Sequence, residues 1–270
     1  MKKNELIKLF LLLALVVIAY IPTFSWMVER WSAKDTYYSH GFLIPFISLY
    51  IVWLKREELS KNKINSSSLG WLIFLGNMLL HLICVRFRIS FLSGFSFIGA
   101  LAGLVLLFLG KDYLKKLIFP ILFLSFMVPM PMVAIANLSF RLKIFAAQVS
   151  TFIINRLGVP AIREGSVIKT LHSYVMVEDP CSGIRSLIAL IALGALMAYF
   201  SGLTKKKKII LFISSIPIAV STNIIRIIAL TLASEMYGDK FATGTFHNIM
   251  GVLVFVFAFA GLALVAKLLE

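Results

Sequence analysis

Glu178-Asp179-Pro180-Cys181-Ser182-Gly183-Ile184-Arg185-Ser186 leads out of a polar segment into an apolar run, residues 184–201, that ends against Lys205-Lys206-Lys207-Lys208. An apolar run closed by four lysines is the pattern of a membrane-crossing helix whose basic end stays in the cytoplasm. At the other end, Asp179 followed by Pro180 predicts a helix start. A carboxylate can accept from free backbone amides, and proline's fixed φ suits the first helical position. Cys181 then falls in the first helical turn, where unpaired amide donors and the helix dipole favour a thiolate. Glu178 and Asp179 oppose that ionisation, so strong activation needs a cationic or basic partner from elsewhere in the chain.

Composition agrees with the membrane reading. The 270 residues are 60% hydrophobic and 14% charged, with a mean hydropathy of +0.95, well beyond an ordinary soluble domain. The expected fold is an all-α polytopic membrane protein. A formal charge of +15 raises the question of nucleic acid. The basic residues stand in short clusters between apolar runs, however, and membrane orientation accounts for them; no nucleic-acid partner is expected. Cys84 lies within an apolar run, and both cysteines read as free thiols.

Working outward, residues 6–28 form a first span; the run is too long, and its end lacks the small residues, for a cleaved signal peptide. Further spans are expected at 41–54, 69–85, 89–109, 117–128, 184–201, 209–234 and 246–266, giving about eight transmembrane helices in a single domain covering 1–270. Residues 139–157 mix aromatic and basic side chains and predict a short interfacial helix. Residues 158–179 carry β-formers between glycines and Pro180, which predicts a small hairpin-like extended segment on the outer face. Counting crossings from a cytoplasmic amino terminus puts the carboxyl terminus and the lysine-rich loops in the cytoplasm. The same count puts Cys181 at the periplasmic or exterior face of a multi-pass protein of the cytoplasmic (inner) cell membrane.

Arg226 needs a reason to be where it is, since an arginine within a span costs on the order of 2.5 to 3.5 kcal/mol. From Ile209 a rise of about 1.5 Å per residue carries it roughly 25 Å, to the outer part of the bilayer. Asn223, three residues earlier, makes a polar patch with it. Snorkelling to headgroups explains the arginine but not the asparagine. His247 opens the last span at the same outer level. A thiolate, an imidazole and a fixed cation are the parts of nucleophilic acyl transfer. Topology alone leaves the histidine open, because His40 and His172 are also expected outside. For Cys181 the plainer reading is a small buried hydrophobe, which suits Cys84 better than a thiol on a polar flank.

Pro180-Cys181-Ser182-Gly183 at the head of one span, Asn223-Ile224-Ile225-Arg226 in the next and His247 at the head of the last resemble the ordered signature of the exosortase/archaeosortase family. The upstream Asp35-Thr36-Tyr37-Tyr38-Ser39-His40-Gly41 is similar to that family's amino-terminal pattern. The resemblance implies a membrane-embedded cysteine transpeptidase of the PEP-CTERM type. Such an enzyme cleaves membrane-anchored substrate proteins carrying a carboxyl-terminal sorting signal through a Cys thioester and transfers them to an acceptor nucleophile. It further implies Cys181 as nucleophile, Arg226 as transition-state stabiliser and His247 as acid and base. Ser182, Gly183, Asn223 and His40 are then supporting or substrate-binding residues. No motif calls for a metal or a cofactor. Two other readings stand beside it: a transporter or lipid carrier that binds an anionic substrate at Arg226 and Asn223, and a hydrolase in which water resolves the thioester.

Overall fold

The computed structural model describes residues 3–34, 36–177, 183–238 and 245–270, the side chains at 3–6 and 245–248 excepted. Helices dominate, in keeping with the all-α polytopic expectation. Among the described residues five are long and apolar enough to cross a membrane, or six if one bent pair counts as a span. By the same measure Ser39–Leu54 and Ile184–Phe200 are shorter apolar helices, so length and composition do not fix the number at eight. The chain divides into two compact units, Met1–Met130 and Pro131–Glu270.

In the first unit, the segment expected as one continuous span is a pair of helices, α1 (Lys3–Ala19) and α2 (Ile21–Ser32), bent by 56°. Pro22 at the start of α2 has no N–H to continue the helical ladder. A buried polar network holds the bend. His81, on α5 (Leu69–Arg86), places Nε2 3.0 Å from the Ala19 carbonyl and Nδ1 2.8 Å from Ser93 Oγ, on α6 (Ser90–Phe108). A carbonyl only accepts, so Nε2 carries the proton and Nδ1 accepts from the Ser93 hydroxyl. The Thr23 hydroxyl must then donate to Ser93 Oγ, at 2.6 Å. The same reasoning gives Tyr20 OH donating to Ser96 Oγ at 2.8 Å, because the Ser96 proton goes to the Ser93 carbonyl. Tyr20 and His81 also stack, with centroids 3.8 Å apart. Every hydroxyl in the set has a partner, which is what burial in hydrocarbon requires.

The unit continues through α3 (Leu43–Leu54), a short α4 (Arg56–Ser60) and α7 (Lys111–Phe123). Its opposite end is tied by Trp31 Nε1 donating to the Met127 carbonyl at 2.9 Å and by the Met130 N–H donating to the Tyr38 hydroxyl at 3.2 Å. Burial pushes the Tyr38 phenol's pKa up.

The second unit opens with α8 (Met132–Arg156), capped by Pro131. It is longer than the short interfacial helix expected from residue 139, and its 25 residues meet the length and hydropathy of a span. Arg141 and Lys143 hid this in the sequence by interrupting the run. The extended segment is a three-stranded antiparallel meander, β1 (Ile162–Glu164), β2 (Val167–Lys169) and β3 (Tyr174–Met176). Glu164 pairs with Val167 across a two-residue turn led by Gly165 at φ +62°, a conformation glycine adopts without strain. The meander is sewn to α8 by Asn155, whose Nδ2 donates to the Ala161 carbonyl at 2.8 Å and whose Oδ1 accepts from the Ala161 N–H at 3.0 Å. Then follow α9 (Ile184–Phe200), α10 (Lys205–Tyr237) and α11 (Thr245–Leu269).

Candidate active site

Asn223 and Arg226 lie on α10, the 33-residue helix that follows the lysine cluster. Asn223 is buried at 3% exposure, and its Oδ1 and the Arg226 Nε are both buried polar atoms. Thr222 is polar in composition only: its hydroxyl donates to the Ile218 carbonyl of its own helix at 2.8 Å. A buried amide beside a guanidinium in an apolar helix is the costly arrangement that marks a site within a membrane protein.

Cys181 and Ser182 lie outside the described residues, as do Glu178, Asp179 and Pro180. Both ends of that five-residue segment are described, and both belong to the second unit. Before it, Val177 is buried at 1% exposure and shares one apolar cluster with Ile168, Ala146, Ala147 and Ile227 of α10. The Val177 N–H donates to the Ser166 carbonyl at 3.0 Å, which fixes the end of the meander. After the segment, Gly183 packs on Asn223, so closely that a Cβ built there would lie 2.8 Å from Asn223 Cγ and Nδ2. Asn223 and Ile227 are four apart, hence neighbours on one helix face, and Arg226 belongs to the turn between them. The segment containing Cys181 is therefore anchored at both ends on the turn of α10 that carries the arginine.

The helix after Cys181 begins later than the sequence suggested. Its N-cap is Gly183, at φ +79°, and α9 starts at Ile184. A left-handed residue cannot sit inside a right-handed helix, so Asp179 and Pro180 do not open α9, and Cys181 precedes the cap instead of occupying the first turn.

His247 belongs by its backbone to the first turn of α11, and its side chain lies outside the described residues. One turn further along, Gly251 faces Arg226: a Cβ built there would lie 3.7 Å from Nη2 and 4.0 Å from Cζ. The small residue lets α11 pass close to the guanidinium. That Gly251 borders Arg226 was not legible, since one glycine in an apolar helix has many readings; its spacing of four from His247 was the available signal.

Of the other histidines, His172 is committed elsewhere. Its Nδ1 lies 2.8 Å from Glu235 Oε1, and its backbone N–H donates to Glu235 Oε2 at 3.1 Å. This pairing clasps the β2–β3 turn to the end of α10. His40 belongs to the first unit, in a 3-10 turn (Ser39–Phe42) where its ring lies 5.7 Å from that of Tyr38. Among the described residues no group of His, Cys, Asp and Glu could hold a metal ion. A cavity of about 10 Å³ beside Gly183 and Asn223 is at the limit for a single water.

No curated protein and no solved structure matches the chain significantly. The profile described as transmembrane exosortase (Exosortase_EpsH) matches residues 31–264, a stretch that takes in every candidate residue above. The chain belongs to the transmembrane exosortase family.

Proposed function

We propose that this protein is a membrane-embedded cysteine transpeptidase that removes carboxyl-terminal sorting signals from membrane-anchored proteins and passes them to an acceptor nucleophile. The observation that carries the reading is the double anchoring of the Cys181 segment on the Asn223–Ile227 turn that bears Arg226. Cys181 is two residues ahead of Gly183, so covalent geometry alone keeps its Cα within about 8 Å of the glycine's.

In the proposed reaction the Cys181 thiolate attacks the scissile carbonyl, forming a C–S bond and an oxyanion. Arg226 holds that negative charge in a setting of low dielectric, where a fixed cation is worth most. Collapse of the intermediate breaks the C–N bond. His247 supplies the proton that the departing amine takes up, leaving a thioester on Cys181. An acceptor amine then attacks the thioester, with His247 taking its proton, and the thiolate is regenerated. Water in place of the amine gives the hydrolytic outcome. Asn223 positions the glycine that follows the nucleophile, and Ser182 and Gly183 stand as candidates to contact the substrate backbone. His40, on the first unit, stands as a further substrate-binding candidate.

Orientation follows from the lysine clusters, with both termini cytoplasmic and Cys181 at the outer face of the cytoplasmic membrane. The test is co-expression with a tagged protein that carries a sorting signal, following tail removal in wild type, Cys181→Ala and His247→Ala. Both variants should leave the tail in place at normal protein levels. If Cys181→Ala still removes the tail while Arg226→Ala does not, a carrier-type role for the arginine replaces acyl transfer.

A further inference from the structure

The first unit contains a cavity of about 870 Å³ at the level where the three-serine run meets α5. Its volume is in the range of small-molecule sites. Its lining combines Lys8 of α1 and Ser66, Ser67 and Ser68 with apolar side chains, Leu12, Trp71 and Phe108 among them. The serine loop is fixed in place, since the Ser67 N–H donates to the Leu106 carbonyl of α6 at 3.2 Å. Ser68 occupies the N-cap of α5 yet makes no capping bond to that helix, so its hydroxyl is not committed there.

Depth narrows the ligand. The 18 residues of α5 span roughly 27 Å, close to the hydrocarbon thickness of a bilayer. The serines just before its first residue therefore stand at the level of lipid headgroups. Lys61 and Lys63 in the same loop, and Lys111 at the start of α7, add positive charge to this end of the unit. A soluble anion would not call for apolar walls, and an acyl chain alone would not call for a lysine and three hydroxyls.

We propose that the cavity binds one anionic glycerophospholipid, with its phosphate against Lys8 and the serine hydroxyls and an acyl chain along Leu12 and Trp71. The proposal is independent of the acyl-transfer chemistry, and so is its test. The full-length protein in detergent would be titrated with dioleoylphosphatidylglycerol or dioleoylphosphatidylcholine and the bound lipid counted by native mass spectrometry. One phosphatidylglycerol should be retained, in preference to phosphatidylcholine. One lysine near a lipid surface contributes an amount equivalent to about a fivefold change in affinity. Lys8→Gln should weaken phosphatidylglycerol retention by about that factor and phosphatidylcholine retention by less, because the choline cation already offsets its phosphate charge, and Leu12→Trp, which fills the cavity, should reduce both. Equal retention of the two lipids by the wild type, a comparison that needs no variant, would overturn the proposal. So would a phosphatidylglycerol preference that survives both Lys8→Gln and the double change Ser66→Ala with Ser67→Ala.

Discussion

Gly183 and Asn223 touch so closely that the glycine has no room for a side chain: a Cβ there would lie 2.8 Å from Asn223 Cγ and Nδ2. The backbone adds its own constraint, since φ +79° costs an L-residue roughly 1 to 2 kcal/mol. Gly183→Ala should therefore lower the thermal midpoint of the purified protein and reduce tail removal, although it deletes no chemical group. Combining it with Asn223→Gly removes the clash but not the backbone cost, so stability should return in part. Full additivity of the two changes would mean that the contact contributes nothing.

Gly251 offers a way to disturb Arg226 without changing it. A methyl group there would stand at 3.7 Å from Nη2, an ordinary van der Waals distance. Gly251→Ala should keep most of the tail-removing activity, and Gly251→Leu, which needs the space of the guanidinium, should lose it by tenfold or more while the protein still reaches the membrane. Equal activity of the two variants would mean that the guanidinium's position is not critical.

The His172–Glu235 clasp ties the meander to α10, and the meander leads directly into the Cys181 segment. Glu235→Gln removes the charge from hydrogen bonds that together contribute about 1 to 2 kcal/mol. Amide hydrogen exchange at Val177, whose N–H is bonded to Ser166, should speed up several-fold, with the far ends of α9 and α10 unaffected. Unchanged exchange at Val177 would show that the apolar cluster around Ile168 and Ile227 holds the meander by itself.

His81 joins the α1–α2 bend to α5 and α6. Replacing it with leucine strips partners from the Ala19 carbonyl and the Ser93 hydroxyl, each buried, at about 1 to 3 kcal/mol per group. His81→Leu should lower the thermal midpoint in detergent by several degrees, and additionally changing Ser93→Ala together with Thr23→Val should return part of the loss by deleting the hydroxyl pair that the missing imidazole leaves unsatisfied. If His81→Leu is neutral, the bend is set by Pro22 alone.

The membrane class was legible because runs such as residues 89–109 reveal themselves by composition. Arg226 and Asn223 were legible for the opposite reason, as polar groups where polarity is costly. What escaped depended on partners distant in sequence. Asp179-Pro180 carries a local helix-start signal, yet Gly183, held left-handed against Asn223, moved the start to Ile184. The extended segment at 158–179 was expected as a hairpin, and its third strand, β1, shows only through its pairing with β2. The break after Ala19 was signalled only by Pro22, within a run whose hydropathy continues unchanged. Gly251 and Ile227 look like any small or apolar membrane residue, and only packing shows that they border the arginine.

Trapping the acyl-enzyme would test Cys181 as the nucleophile without relying on any variant's stability. The purified full-length protein would be incubated with a tagged sorting-signal substrate in the absence of acceptor amine, quenched in acid, and the peptide containing Cys181 weighed by mass spectrometry. The expected result is a substrate adduct on Cys181 that hydroxylamine releases and that is missing in Cys181→Ala. Tail removal by Cys181→Ala at the wild-type rate, with no adduct on any cysteine of the wild type, would contradict it.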